Sequence, residues 1–315
     1  MVSCATLETL PPPPSGQTGW PWSEESSPLP AAMPDGRPWP RITIVTPSYN
    51  QGAFLEATIR SVLLQRYPNL EYLVMDGGSS DNSGEVIRGY APWLAYWVSA
   101  PDRGQSHAIN RGFARATGEV LGWLNSDDLY EPDSLGFVAR YFASRPDCEL
   151  LYGNGWFVDE RGRKTHACDW VRPFDRKLFL TFNFVLQPAA FWRRSLWEGT
   201  NGLDTSCHWA MDWEWLIRAT ALTEPHYVAR RLASWRLRDD IKTVRGGQAR
   251  RAEIARISRR YGGVWQPTHL AYRLDQVDRW LSACIGSGRL ARAYQRVISP
   301  VRVAVKRRWK GRYLS

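Results

Sequence analysis

The sequence lacks the features that mark several common protein classes. Its five cysteines are scattered, and it contains no CxxC and no Cys/His cluster, so neither a disulfide framework nor a zinc site is expected. No apolar run approaches the ~20 residues that a membrane span needs, and the N-terminus lacks the charged-then-apolar pattern of a signal peptide. These absences favour a reducing compartment, so we expect a cytoplasmic protein.

Acidic residues are missing from the end of the chain, and their absence accounts for the net charge. The chain carries 41 Lys and Arg against 31 Asp and Glu, a formal charge of +10, but no acidic residue follows Asp278. Ten basic residues lie in 279–315, which leaves 31 residues of each sign in 1–278. A nucleic-acid-binding fold carries positive charge on its own folded surface, so no nucleic-acid partner is expected.

The basic tail has two interpretations. Apolar residues recur at three- and four-residue spacing between the arginines of 289–312, a pattern that suits contact with an anionic membrane surface. A peripheral attachment at the inner face of the membrane is therefore one hypothesis. A solvated tail is the alternative, and Pro300 argues against one continuous helix.

The first 40 residues are set apart by proline. They hold ten of the 21 prolines, four of them in succession at 11–14. This composition cannot build a core and predicts a disordered segment over 1–40. Met33 lies just before the first strand-like run, so residues 1–32 either precede the true start or form an unstructured extension.

From residue 41 onward, short apolar runs alternate with helical stretches. Strands are predicted at 41–46, 70–76, 93–99 and 118–125, and helices at 53–65, 82–90, 105–116 and 132–144. Shorter strands and loops follow over 147–193, and further helices are predicted at 212–222, 247–261 and 268–285. This alternation predicts an α/β fold with a mostly parallel sheet, which binds ligands at the carboxyl ends of its strands.

Polar loops follow all four predicted strands, with the sequences TPSYNQG (46–52), DGGSSD (76–81), APDRGQ (100–105) and NSDD (125–128). Taken singly, each loop can be an ordinary turn, a helix cap, a local ion pair or an acidic turn. Together they predict a nucleotide site, with carboxylates that suit Mg²⁺ or Mn²⁺ against the phosphates. A Rossmann dehydrogenase is disfavoured, because no GxGxxG follows a strand.

As a set, the motifs resemble the inverting GT-A glycosyltransferases of family 2. The matching segments follow the family's order and are TPSYNQG (46–52), MDGGSSDNS (75–83), PDRGQSHAINRGFARATGEVLGWLNSDD (101–128), QPAAFWRRSLWEGTNGLD (187–204), MDWEWLIRA (211–219) and WRLRDDIKT (235–243). The resemblance implies a Rossmann-like GT-A domain at 41–245. A helical extension with the basic tail would follow at 246–315.

The resemblance also implies roles for individual residues on the donor side. The residues implied in nucleotide-sugar binding are Thr46, Pro47, Tyr49, Asn50, Asp76, Asp102, Asn110, Asn125, Ser126, Gln187, Arg236 and Lys242. Among them, Tyr49 would lie near the base, commonly uracil, and Asp76 would hydrogen-bond it. Arg236 and Lys242 match a loop that closes over the diphosphate in relatives, although a solvated basic loop is the alternative. Many relatives have His where Arg238 stands.

The family's DxD metal motif is matched by Asn125-Ser126-Asp127, with Asn in place of the first Asp. The resemblance implies a divalent cation, Mn²⁺ or Mg²⁺. Asp127 would be the first ligand and Asp128 would assist, while Asn125 would touch the ribose or the sugar.

Asp212 matches the family's catalytic base, and Glu214 is the second candidate. Two residues apart on a helix, they point in different directions, so only one should face the acceptor. The implied activity is inverting transfer of a sugar from a nucleotide-diphosphate sugar, a UDP-sugar, to a glycan or lipid-linked acceptor. Such reactions belong to polysaccharide and cell-envelope biosynthesis. An inactive nucleotide-sugar-binding or scaffold protein of a glycan assembly complex is the alternative.

Overall fold

The computed structural model of the chain describes residues 4–238 and 246–263. Its strands are β1 (Ile42–Ser48), β2 (Leu70–Asp76), β3 (Tyr96–Ser99), β4 (Val120–Trp123), β5 (Leu129–Tyr130), β6 (Leu150–Val158), β7 (Lys164–Ala167), β8 (Ala190–Arg193) and β9 (His226–Arg236). Its helices are α1 (Gly52–Leu63), α2 (Ser83–Tyr90), α3 (Gln105–Phe113), α4 (Ser134–Ser144), α5 (Arg176–Phe179), α6 (Arg194–Gly199), α7 (Met211–Leu222) and α8 (Gly247–Arg260).

The strands form one sheet in the order β3-β2-β1-β4-β8-β6-β9-β5, and β7 pairs with β6. The first four strands run parallel to one another. Each antiparallel pair involves β5, β7 or β8, while β6 and β9 are parallel. The predicted α/β fold, a sheet flanked by helices, is confirmed.

Strand register brings the ends of the parallel strands together. Ser48, the last residue of β1, lies opposite Asp76 of β2, and Asp76 lies opposite Ser99 of β3. Trp123 ends β4 opposite Val45. Because parallel strands end at the same edge of a sheet, the polar loops after β1 to β4 converge there, as predicted.

The predicted helices and strands within the described residues are found within a few positions of their expected limits. The largest difference is at 93–99, where β3 starts only at Tyr96. A 3-10 turn at Ala91–Trp93, with Pro92 in its first turn, occupies the start of the predicted strand. The proline removes a backbone donor and fixes φ, which favours the turn over an extended chain.

The disorder predicted for residues 1–40 is not found in the described part, because residues 4–40 pack against the rest of the domain. Leu10, Met33 and Trp39 are buried in its core. Arg60 of α1, 0% exposed, donates hydrogen bonds to the carbonyl oxygens of Pro11, Pro21 and Trp22. A proline-rich chain needs no core of its own when another surface supplies apolar contacts and hydrogen-bond donors for its carbonyl oxygens.

One compact unit runs from Met1 to Gly262, and Gly263–Ser315 is assigned to a second. In the described part of the chain, no helix is both long and apolar enough to cross a membrane. The predicted helix at 268–285 and the basic tail at 289–312 lie outside the described residues. The boundaries predicted at 245 and 246 stay a prediction.

Candidate active site

Asn50, in the loop after β1, forms hydrogen bonds with the loop after β2. The Asn50 backbone N–H donates to Ser79 Oγ at 2.7 Å, and the Asn50 side-chain oxygen accepts the Ser80 N–H at 2.9 Å. Tyr49 is left 64% exposed, an aromatic face available to a planar ring. Thr46 and Pro47, predicted to bind the nucleotide-sugar, are buried in the strand, and the Thr46 hydroxyl bonds Tyr72 at 3.0 Å. They support the loop from beneath.

Asp76 shapes the loop that follows β2. Its carboxylate accepts the backbone N–H groups of Gly78 and Ser79 and the hydroxyl groups of Ser79 and Ser99, at 2.5–3.2 Å. Gly78 has a φ of +78°, and a Cβ there would lie 2.9 Å from the Pro101 nitrogen, so glycine is required. A carboxylate has about four acceptor positions, so these donors take up most of its capacity.

Asp102 and Asn110 have different roles in the structure. Asp102 stays partly exposed beside Gly77 and accepts the Gly104 N–H at 2.6 Å. Asn110 exchanges two hydrogen bonds of 2.9 Å with the backbone of Leu203. The predicted nucleotide-sugar contact of Asn110 is thereby corrected, because its amide ties α3 to the loop before α7.

Asn125 is the centre of a hydrogen-bonded cluster at the end of β4. Its oxygen accepts Gln105 Nε2 at 2.8 Å and Trp123 Nε1 at 3.2 Å. Its nitrogen donates to Asp128 Oδ2 at 3.1 Å and to Gln187 Oε1 at 3.2 Å. An amide has two donor hydrogens and two acceptor lone pairs, and all four are used. Asn125 therefore supports the site, which corrects its predicted contact with ribose or sugar.

Two further predicted contacts lie within or beside this cluster. Gln187 is buried, and its Nε2 donates to the Trp123 carbonyl at 2.9 Å while its oxygen accepts from Asn125. Ser126 is also buried. Gln187 thus helps to hold the end of β4 in place, and the burial of both residues does not favour the nucleotide-sugar contacts predicted for them.

Asp127 and Asp128 differ sharply in exposure. Asp128 is 1% exposed, and its oxygens accept the Arg236 backbone N–H and the Asn125 amide, both at 3.1 Å. Burial, and next the Asp127 charge, raise the pKa of Asp128 well above its usual range. The Asp127 side chain keeps 20% exposure and lies 3.3 Å from Arg238. Its pKa is raised by burial, against the opposing effect of Arg238.

This donor set decides how a divalent cation fits. Among the described residues, no three His, Cys, Asp or Glu side chains form a group that could enclose a metal. Mg²⁺ is commonly held by one or two carboxylates together with substrate phosphates, a requirement that Asp127 alone can meet. Asp128 does not fit as a ligand, because both its oxygens are engaged in a buried network, which corrects its predicted role.

Arg236 and Arg238 lie at and just beyond the end of β9. Arg236 is buried, and its guanidinium donates to the carbonyl oxygens of Asp127, Asp159 and Glu160 at 2.7–2.8 Å. Its predicted phosphate contact is therefore corrected to a structural role. The Arg238 guanidinium stacks 4.1 Å over Phe54 and bonds Gln51 at 3.2 Å, beside the exposed edge of Asp127. Lys242 lies outside the described residues.

The two candidate bases stand at the start of α7. Glu214 is 1% exposed, pairs with Arg218 at 2.7 Å and accepts the Tyr261 hydroxyl at 2.5 Å. Asp212 is partly exposed, and Asn183 Nδ2 lies 3.4 Å from its Oδ2. Asn183 is itself oriented by the Val185 N–H at 3.1 Å. Buried charge pairing makes Glu214 a structural residue, which corrects its place as a candidate base.

Comparison with known proteins identifies the family of this chain. The family profile "Glycosyl transferase family 2" matches residues 43–199. An uncharacterized glycosyltransferase of Mycobacterium tuberculosis is 33% identical over 192 residues, 59% of this chain and 71% of the relative. A PGL/p-HBAD biosynthesis glycosyltransferase of Mycobacterium bovis is 31% identical over 183 residues, 57% of this chain and 69% of the relative.

Two solved structures share the fold. S. aureus TarS residues 1–349 in complex with UDP-GlcNAc has a TM-score of 0.59 and 15% identity, covering 73% of this chain and 69% of TarS 1–349. The mannosyltransferase PcManGT from Pyrobaculum calidifontis, in complex with GDP-Man and Mn²⁺, has a TM-score of 0.57 and 21% identity, covering 86% of this chain and 83% of PcManGT. The converging strand loops and these matches show that the chain belongs to glycosyltransferase family 2 and has the GT-A fold.

Proposed function

We propose that this glycosyltransferase is an inverting enzyme that moves a sugar from a UDP-sugar to a hydroxyl group of a glycan or lipid-linked acceptor. The observation that carries the proposal is that the two acids in the first turn of α7, Asp212 and Glu214, have different surroundings. Glu214 is held in a buried ion pair with Arg218, whereas Asp212 is partly exposed and has Asn183 Nδ2 at 3.4 Å from its Oδ2. The complexes of TarS with UDP-GlcNAc and of PcManGT with GDP-Man support a nucleotide-sugar donor.

The reaction is a single displacement. The acceptor oxygen attacks the anomeric carbon while the bond from that carbon to the diphosphate oxygen breaks, so the configuration inverts. Asp212 accepts the proton that the acceptor hydroxyl loses, and Asn183 holds the carboxylate through its amide. No covalent bond between sugar and enzyme forms.

The donor side of the site binds the nucleoside and stabilises the leaving group. Tyr49 stacks on the base, while Asn50 and Asp76 keep their two loops in place. Arg238, beside Asp127, contributes positive charge to the diphosphate as it departs. Asp127 is the residue that would hold Mn²⁺ or Mg²⁺, and a bound cation would offset charge that develops on the diphosphate.

The basic segment 289–312 determines the location of the enzyme in this proposal. It holds the enzyme at the inner face of the membrane, next to acceptors used in polysaccharide or cell-envelope biosynthesis. The support comes from its amphipathic, basic sequence. Binding of the full chain to anionic liposomes, compared with a chain truncated after Gly286, is the test; equal binding by both contradicts this part of the proposal.

The central test is release of nucleoside diphosphate by the full chain from UDP-, GDP- and dTDP-sugars, with Mn²⁺, with Mg²⁺ and with neither, in the presence of candidate acceptors. Asp212→Asn should lower transfer by about 100- to 10,000-fold and keep donor binding. Glu224→Gln, a change of an exposed carboxylate after α7, is the matched control. Donor binding without transfer by the unaltered chain would favour an inactive binding or scaffold protein instead.

A further inference from the structure

The loop that enters α7 is held by a carboxylate from another helix. Glu253 of α8 accepts the backbone N–H groups of three consecutive residues: His208 at 2.9 Å, Trp209 at 2.7 Å and Ala210 at 2.7 Å. The Glu253 side chain is buried. Three converging N–H groups form a concave anion site of the kind that helix N-termini offer, and Glu253 fills it from within the protein.

The entry to α7 has no side-chain cap of its own. Ala210 stands at the N-cap position, and no side chain there accepts a hydrogen bond from the first turn. Ser, Thr, Asp or Asn at the N-cap would normally provide that acceptor. Glu253 instead holds the three residues immediately before the first turn, through a charged acceptor that lies 43 residues beyond Ala210 in the chain. A charge-assisted hydrogen bond is roughly twice as strong as a neutral one.

Other contacts of α8 and of Tyr261, which follows it, fix the same region. Ser258 Oγ donates to the Leu180 carbonyl at 3.0 Å, and Arg260 pairs with Asp204 at 3.5 Å. Tyr261 donates its hydroxyl to Glu214, one of the first-turn acids of α7. The backbone before Asp212 and the side chain two residues after it are therefore both tied to the same element.

We propose that Glu253 is a positioning residue for catalysis, which sets the orientation of Asp212 by binding the backbone at 208–210. The inference rests on the proposed role of Asp212 as the base. It also makes α8 part of the catalytic apparatus, although α8 begins 48 residues beyond the end of the family match at residue 199. Misplacing a catalytic group by about 1 Å can cost on the order of 100-fold in rate.

The first test is Glu253→Gln in the full chain, assayed for transfer and for donor binding. The amide keeps the shape of the side chain but loses the charge and one acceptor oxygen. We expect kcat to fall roughly 10- to 100-fold while KM for the donor changes less than about twofold. Rates are expressed per mole of protein that binds nucleoside diphosphate, so that partial unfolding does not imitate the effect. Arg259→Gln, exposed on the same helix, is the control expected to keep the rate.

The second test separates positioning from general support. In the Asp212→Asn background, Glu253→Gln should cause no further loss of the residual rate, because there is no base left to misplace. A further loss of the same factor would show a merely structural role and overturn the inference, as would an unchanged kcat in Glu253→Gln alone. Glu253→Asp keeps the charge on a side chain that is shorter by one methylene. Its kcat should lie between those of the wild type and Glu253→Gln.

The two proposals fail in different ways. If Asp212→Asn itself keeps near-normal transfer, the proposed base is wrong, and the inference about Glu253 falls with it. If Asp212→Asn is inactive while Glu253→Gln transfers at the wild-type rate, the base assignment stands and only the role of Glu253 is refuted.

Discussion

Asn125 Nδ2 donates a hydrogen bond of 3.1 Å to the buried carboxylate of Asp128. This contact explains why an amide occupies the first position of the metal motif in this chain. A carboxylate at 125 would have no N–H to donate to Asp128, and would also lose the bond that Asn125 donates to Gln187. Asn at this position of the motif therefore belongs to an internal hydrogen-bond network. Its amide donates to Asp128, where a second carboxylate would repel the Asp128 charge.

Asn125→Asp should consequently damage the enzyme, although it restores the sequence of the motif. We expect the free energy of unfolding to fall by about 3 kcal/mol at neutral pH, because an unpaired charge is buried beside Asp128. Urea unfolding and the transfer rate measure the two effects. Asn201→Asp, the same change at an exposed position, is the control. A stable Asn125→Asp enzyme with stronger metal dependence would contradict the network.

Metal binding should depend on Asp127 and not on Asp128 as a ligand. Asp127→Ala should abolish stimulation of transfer by Mn²⁺, because it removes the one carboxylate of the pair that reaches the site. Asp128→Asn should lower stability, yet the folded fraction should keep its apparent Mn²⁺ affinity within about threefold, a change worth less than 1 kcal/mol. Titration of the transfer rate with Mn²⁺ is the measurement, and equal losses of affinity in both variants would count against the assignment.

Arg238 should limit the affinity for the cation. Its guanidinium lies 3.3 Å from Asp127 and cannot ligate a metal, whereas an imidazole can. Arg238→His should therefore raise the apparent Mn²⁺ affinity and make transfer more dependent on the ion. Arg238→Gln is the matched variant that removes the charge without adding a strong ligand. The interpretation fails if both variants respond to Mn²⁺ in the same way.

The two acids of α7 should give opposite phenotypes. Asp212→Asn should lower kcat by about 100- to 10,000-fold, the usual contribution of a general base, with little change in stability. Glu214→Gln should lower the free energy of unfolding by about 3 kcal/mol, because Arg218 is left without its buried partner, while kcat changes only a few-fold. Chemical denaturation and initial rates, measured on both variants, distinguish the roles; exchanged phenotypes would reverse the assignment.

Arg60 should hold the N-terminal segment to the domain. Its guanidinium bonds three backbone carbonyls of that segment and the Tyr90 hydroxyl. Arg60→Met should cost about 3 kcal/mol of unfolding free energy, since several buried acceptors lose their donor. Limited proteolysis should then cut first within residues 4–40. Arg88→Met, at an exposed position on α2, should leave both stability and the cleavage pattern unchanged.

Periodicity was sufficient to predict most of the described helices and strands, because the alternation of apolar residues is a local property. It also located the polar loops at the strand ends, where the structure brings Tyr49, Asp76 and Asp127 to one edge of the sheet. Glu253 and Asn183 were missed. Neither belongs to a motif, and each acts on a residue 29 or more positions away, which spacing alone does not reveal.

The amino-acid sequence by itself determined the family, the α/β architecture and the region of the site, since these depend on local patterns and on motifs in a set order. Only the tertiary structure decided which of the predicted polar side chains are occupied by internal hydrogen bonds. Donor or metal contacts were predicted for Asn110, Asn125, Asp128 and Arg236, but internal hydrogen bonds occupy all four. Burial also separates Asp212 from Glu214. The reason is physical: a buried polar group must be satisfied, and its partner can come from any part of the chain.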